Sequence, residues 1–220
     1  MTKSSKISLI IHAGAGSYPK DLNRVKIIRK TLKEICEKGY QYLKKNTAVD
    51  AVTEVVRWLE DWPETNAGTG AVLQSDGTTR LSASLMDGYA MRFSGVINLE
   101  KIQNPILVAK LLQKEKDRIL SNEGALKFAR DKGFKLFDSR TKESIKNWKI
   151  QKYGTVGACA LDRNGRLAAA TSTGGRGMEH VDRVSDSATP AGNYANDFAA
   201  CSATGIGEDI VDESLCSQLV

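Results

Sequence analysis

Residues 155–175 constrain this chain more than any other stretch. TVGACALD and RLAAATSTGG are short runs of apolar and small residues joined by Arg163-Asn164-Gly165-Arg166. An Asn-Gly pair at the centre of such a link supplies the left-handed backbone that a tight hairpin requires, so the runs predict neighbouring antiparallel strands. Just ahead lies KLFDSRTKESIKNWKIQKYG, polar, basic and without clear periodicity. It predicts a long, exposed and mobile loop over about residues 136–153.

Upstream, a β-branched apolar run over residues 7–13 ends in HAGAG and predicts a strand and a Gly-rich turn. Leu22, Val25, Ile28, Leu32, Ile35 and Cys36 then recur mostly at spacings of three or four, as one helix face does. Ala51, Val52, Val55, Val56 and Leu59 predict a second helix that stops before Pro63, and PETNAGTGAV reads as loop. Strands follow around 79–86 and 89–99, separated by Asp87-Gly88; Pro105 opens a helix, and another covers 122–132. After residue 175 small residues and glycines alternate before a helix begins. Hairpins with helices outside them predict an α+β layered sandwich rather than a doubly wound sheet.

With 220 residues, 41% hydrophobic and 26% charged, the composition is that of a soluble globular chain, expected as one domain. No run approaches the roughly 18–20 apolar residues of a membrane span. The N-terminal apolar run leads into glycines rather than a cleavage site, so a cytoplasmic protein is expected. Cys36, Cys159, Cys201 and Cys216 lie far apart with no CxxC pair, which predicts buried free thiols. The net charge of +6 concentrates between residues 110 and 152, where the aromatics are not interleaved as a nucleic-acid surface needs. A solvated helical face and linker is the expectation there, with neither nucleic acid nor membrane as partner.

Two histidines, His12 and His180, and no GxSxG elbow argue against a Ser-His-Asp hydrolase, and neither histidine has zinc-ligand spacing. HAGAG lacks the third glycine and the Lys-Ser/Thr of a phosphate-binding loop. The informative position is Gly154-Thr155, where the basic loop meets the first small-residue strand. A threonine hydroxyl needs a base, and a cut between these residues would create one. The new α-amine, of a kind that ordinarily titrates at about 7.7–8.0, is partly neutral near pH 7.

GTVGACALDRNGRLAAATSTGG, then DRVSDS and SATGIGE, closely resemble the plant-type asparaginase and isoaspartyl peptidase family of N-terminal-nucleophile hydrolases. Upstream, IIHAGAG, ETNAGTGAVL and SASLMDG occur in the family's order. The resemblance covers nearly the whole chain and implies a four-layer αββα sandwich, with residues 1–154 as the α chain and 155–220 as a β chain headed by Thr155. It implies cleavage between Gly154 and Thr155, support of the nucleophile by Thr173, and an oxyanion site from Thr204 and Gly205. Arg183 and Asp186 would hold a substrate's α-carboxylate and α-ammonium, with the Gly207 carbonyl, and Asn66 would lie near the nucleophile. No cofactor is implied for the chemistry. A structural sodium is, on the carbonyls of Leu59, Glu60, Trp62, Thr65, Ala67 and Thr69.

The implied activity is hydrolysis of L-asparagine and of β-aspartyl dipeptides, by a homodimer of αβ units. Two departures bear on it. Where the family has Pro-Gly-Arg-Val-Gly-Asp, this chain has Val181-Asp182-Arg183-Val184-Ser185-Asp186, which removes two glycines and sets an extra negative charge beside Arg183. The family also continues past TGIGE with a long helix and a strand pair, so the alternative expectation is a truncated, non-catalytic homologue acting as a binding or assembly partner.

Overall fold

A computed structural model describes residues 6–15, 21–149 and 154–220. Its frame is a six-stranded sheet in the order β1-β5-β6-β2-β3-β4, built from β1 (Ser8–Ala13), β5 (Val156–Leu161), β6 (Leu167–Thr173), β2 (Leu81–Asp87), β3 (Arg92–Leu99) and β4 (Ile119–Ser121). All neighbours are antiparallel except β3 and β4. The predicted hairpin is β5–β6: Gly165 takes φ +75°, and Asp162 Oδ1 accepts from the N–H groups of Asn164 and Arg166. The other oxygen of Asp162 accepts from Ala48 N at 3.1 Å, so the turn also ties down the start of a helix.

That helix is α2 (Ala48–Asp61), capped by Thr47 and packed on β5 and β6. Its Ala51, Val52, Val55, Val56 and Leu59 are the face expected from their spacing, and all are fully buried. Each such valine or leucine stabilises the fold by about 1.5–3 kcal/mol. Helix α1 (Leu22–Leu43) covers α2 and β1, while α3 (Pro105–Leu112) and α4 (Asn122–Asp131) cover β2, β3 and β4. Along β5 and β6, Val156, Ala158, Ala160, Ala168 and Ala170 face these helices. The alternate residues face a two-stranded sheet, β7 (Asn193–Ala195) and β8 (Ala200–Ser202). Two short helices close the chain, α6 (Gly207–Asp212) and α7 (Leu215–Leu219). Tyr194 and Cys201, on the other side of β7 and β8, pack with Leu215 and Cys216 of α7. Helices, sheet, sheet and helix are the four expected layers.

Three local expectations change. Strand β4 has no counterpart among the predicted strands; it is three residues long and pairs in parallel with β3, so it carries no hairpin signal. The link between β2 and β3 spans residues 88–91, with Met91 at φ +47°. The expected mobile loop is, over residues 136–149, held to the body. It contains α5 (Lys142–Lys146), closed by a capping box between Thr141 and Ser144, and Trp148 Nε1 donates to Gln74 O at 2.8 Å. Residues 150–153 of that segment lie outside the described residues. Basic side chains of this region are partly paired, as in Lys110–Asp50 and Lys132–Glu115. All four cysteines are free thiols, with Cys216 buried and the others half-buried. Among the described residues no helix is long and apolar enough to cross a membrane.

One buried acid holds two helices together. Glu60, at the end of α2 and fully buried, accepts from Ile106 N at 3.1 Å, taking an N–H that the first turn of α3 would otherwise leave unpaired. Burial pushes its carboxyl up to about 8 against the opposing pull of the nearby Ser172 hydroxyl, the Ile106 N–H and the Asn104 amide. A carboxyl protonated in the fold up to about pH 8, but only up to about 4.5 when unfolded, binds more protons folded than unfolded between those limits, so stability falls as pH rises. The slope is at most about 1.4 kcal/mol per pH unit. Glu60→Gln keeps an acceptor for Ile106 and removes the slope. Thermal melts should show the variant gaining on the parent between pH 5 and pH 8; equal shifts at both would refute this.

Candidate active site

Thr155 stands one residue ahead of β5. The Val156–Ser172 pairing places it across from Thr173, with both side chains directed to the second sheet. Its peptide N–H lies 3.4 Å from Thr204 Oγ1 and its hydroxyl 3.5 Å from Ser187 Oγ. Its carbonyl accepts from His12 Nδ1 at 3.0 Å. A carbonyl only accepts, so Nδ1 carries the proton, and Nε2 accepts from the Ser202 hydroxyl at 2.8 Å. Ser202 in turn receives the Thr171 hydroxyl at 2.7 Å. Burial lowers the His12 pKa, against the hydrogen bonds to Thr155 and Ser202, and keeps the ring neutral as this chain requires.

The HAGAG turn packs against Gly154. Gly14 takes φ +115°, and a Cβ built on it would sit 2.6 Å from Gly154 Cα. The weak phosphate-loop signal in these glycines is therefore a packing requirement at Gly154. One residue on, Ala15 N donates to Thr204 Oγ1 at 3.2 Å, so the Thr204 oxygen faces two N–H groups and its own proton is left to donate.

Thr155, Thr173, Arg183, Asp186, Gly205 and Gly207 line one cleft of about 80 Å³ beside Gly154. Arg183 Nη2 and Asp186 Oδ1 both close on Gly207, where an added Cβ would meet each at 2.6 Å. Arg183 Nε pairs with Glu208 Oε1 at 2.8 Å. Asp186 Oδ1 accepts from the Ser185 hydroxyl at 3.3 Å, and Oδ2 is buried with no partner. Burial pushes this carboxyl up to about 6, although Ser185 and Arg183 pull it down. Arg183 Nη2 and Asp186 Oδ1, side by side on Gly207, suit a zwitterionic amino-acid head group, while Oδ2 lies buried against Gly192. Asn66 has a different place. Its side-chain amide donates to Gly175 O at 2.6 Å and accepts from Val72 N at 2.9 Å, so it shapes the turn after Thr173, next to Gly154.

Several residues of the site carry little signal in the sequence. Ser187, on the 3₁₀ turn Asp186–Ala188, follows Asp186 in the DRVSDS block and is legible only as its neighbour. His12 and Ser202 lie inside recognised blocks, but their contact spans 190 positions. The extra charge expected beside Arg183 is turned away from it: the Asp182 carboxylate lies 3.4 Å from Arg80 Nε. Ser185, the other lost glycine, caps the 3₁₀ turn by accepting from Ser187 N at 3.2 Å.

Among the described residues no three His, Cys, Asp or Glu side chains gather as a metal site. The turn from Leu59 to Thr69 offers neutral oxygens instead. The single Thr65 hydroxyl proton is shared between Leu59 O at 2.7 Å and Trp62 O at 2.9 Å, while Glu60 O accepts from Thr69 N at 2.8 Å. Leu59 O and Trp62 O also accept from Trp62 N at 3.3 Å and Thr65 N at 3.1 Å, so hydrogen bonds within the turn already hold these carbonyls.

A family model described as asparaginase matches residues 5–153 and 149–220, two stretches that meet just ahead of Gly154. An isoaspartyl peptidase/L-asparaginase of Synechocystis is 45% identical over 96% of this chain and 71% of its own length. A plant-type L-asparaginase of Pyrococcus furiosus is 38% identical over 95% of this chain and 77% of its own. The isoaspartyl peptidase/L-asparaginase of Mus musculus is 39% identical over 94% and 69%. By that family match and these identities, with Thr155, Thr173, Arg183 and Asp186 lining one cleft, the chain belongs to the asparaginase family.

Proposed function

We propose that this protein cuts itself between Gly154 and Thr155 and then hydrolyses the side-chain amide of L-asparagine and the isopeptide bond of β-aspartyl dipeptides. The observation that carries the reading is the sharing of one cleft by Thr155 and the Arg183–Asp186 pair, since a nucleophile needs its substrate held by groups remote from the reacting bond. In the first reaction Thr155 Oγ attacks the Gly154 carbonyl carbon, the peptide C–N bond breaks as the hydroxyl proton passes to the leaving nitrogen, and water opens the resulting ester to a Gly154 carboxylate and the Thr155 hydroxyl. In the second, the freed α-amine takes the hydroxyl proton while Oγ attacks the substrate amide. Thr173, across the hairpin, supports the hydroxyl. The Thr204 hydroxyl and Gly205 N–H receive the oxyanion, a contact where one lost donor costs about 10²- to 10³-fold. The ammonium returns the proton to the leaving nitrogen, and water, deprotonated by the same amine, frees aspartate from the acyl-enzyme. We further propose a homodimer of αβ units in the cytoplasm. A sodium ion on the carbonyls of Leu59, Glu60, Trp62, Thr65, Ala67 and Thr69 would hold the turn that carries Asn66.

Mass spectrometry tests the first reaction. The parent is expected as pieces of 154 and 66 residues, and Thr155→Ala as one 24.0 kDa chain. The variant should lose more than about 10⁴-fold in ammonia release. An uncut parent, or an active Thr155→Ala, would overturn the reading.

The head-group site has its own signature. Asp186 must be ionised to hold an ammonium, and its pKa of about 6 means that kcat/KM should fall as pH drops through 6. Asp186→Asn should remove that limb and raise KM for L-asparagine about ten- to a hundredfold, as expected for one charged hydrogen bond. A limb unchanged in the variant would assign the titration elsewhere.

A further inference from the structure

We propose that Arg80 is a positioning residue for substrate affinity: by holding the Asp182 carboxylate it keeps Arg183 available for the substrate's α-carboxylate. The inference deepens the function proposed above and rests on its assignment of Arg183.

Asp182 and Arg183 are chain neighbours with opposite charges and opposite directions. Arg183 closes on Gly207 and Glu208 in the cleft, and its N–H donates to His180 O at 3.1 Å. Asp182 faces away, toward a guanidinium just ahead of β2. Arg80 is 11% exposed and pairs with Asp76 at 2.9 Å, Glu100 at 2.9 Å and Asp182 at 3.4 Å. The buried Gln74 joins the two partners, its Oε1 accepting from Arg80 Nη1 at 2.9 Å and from Asp182 N at 3.1 Å. Asp182 takes φ +64°, a left-handed conformation that a side chain keeps where its surroundings hold it. Here the hold is visible at both ends of the residue, at its N–H and at its carboxylate.

The charges make the arrangement directional. One guanidinium faces three carboxylates, so without Arg80 the group carries three uncompensated negative charges. Asp182, the most exposed of the three at 52%, is the one free to leave, and Arg183 is the adjacent cation in the chain. Glu208 occupies Arg183 Nε and leaves Nη2 at Gly207, so a second internal carboxylate competes directly with the substrate's own, and the loss falls on binding rather than on the chemistry at Thr155.

The test compares the parent with Arg80→Met, Asp182→Asn and the double variant. Asparagine is neutral, and asparagine and aspartate tolerate left-handed backbone alike, so Asp182→Asn removes the competing charge and leaves the conformation accessible. Arg80→Met should raise KM for L-asparagine by about tenfold, with kcat and self-cleavage within about twofold of the parent, and weaken L-aspartate binding in calorimetry by the same factor. Asp182→Asn alone should stay near the parent, and the double variant should recover most of the lost affinity. Unchanged KM in Arg80→Met, or a loss that Asp182→Asn does not rescue, would overturn the inference. Arg80→Lys, which keeps the charge without the fork, supplies an intermediate KM should the methionine variant fail to fold; a KM equal to the parent's would count against the inference. A parent that is inactive on L-asparagine strikes the proposed function, and L-aspartate affinities then still decide the role of Arg80. A parent that does not bind L-aspartate removes both.

Discussion

The two sheets meet at Gly157, and the site depends on how little space is left there. A Cβ at that position would collide with both Ser202 Oγ and His12 Nε2. Because it is absent, β8 approaches closely enough for Ser202 to reach His12, and His12 in turn fixes the Thr155 carbonyl. The closeness is obligatory in the other direction too. Thr171, Ser202 and His12 form a polar chain between layers, and polar groups taken from water without partners cost more than their hydrogen bonds gain. Small side chains in β5 and β6 are thus a condition for a satisfied interior and, through it, for a nucleophile with one orientation.

Buried acids on the two faces of the main sheet show how neighbours decide roles. Glu60 and Asp186 are both raised by burial, to about 8 and about 6. Glu60 faces backbone and neutral polar groups and serves as a neutral acceptor between α2 and α3. Asp186 has Arg183 beside it and turns Oδ1 to Gly207 in a cleft, while Oδ2 is buried against Gly192. The third arrangement, Arg80 among Asp76, Glu100 and Asp182, is exposed enough for water to moderate it and acts by direction rather than by stored energy.

What the sequence makes legible is mainly what is local. The Asn164-Gly165 turn, the Pro105 start of α3 and the spacing of Val52, Val55, Val56 and Leu59 each carry their signal within a few residues, and each appears where expected. Strand β4 carries none, because three residues paired in parallel need neither a turn nor an alternating pattern. The α5 segment reads as free loop although Thr141 and Ser144 form its capping box, since a polar five-residue helix has no apolar period to detect. At the site, the threonines, Arg183 and Asp186 are reachable through the recognised blocks. The grip of Gly14 on Gly154, the His12–Ser202 contact and the turning of Asp182 to Arg80 are not, because each joins positions far apart in the chain. The charge at Asp182 is visible, but its direction is a property of the fold.

The same atoms around Thr155 impose an order on the proposed reactions. Before the cut its nitrogen is an amide, with its lone pair in the peptide bond and its hydrogen directed at Thr204, so it accepts no proton. The nearby imidazole offers no substitute: one nitrogen donates to the Thr155 carbonyl and the other is taken up by Ser202. Neither of these groups can therefore supply, in the intact chain, the base that the threonine needs for turnover. Breaking the Gly154–Thr155 bond creates it, in the place where the hydroxyl, the oxyanion donors and the head-group pair have already been assembled by the fold.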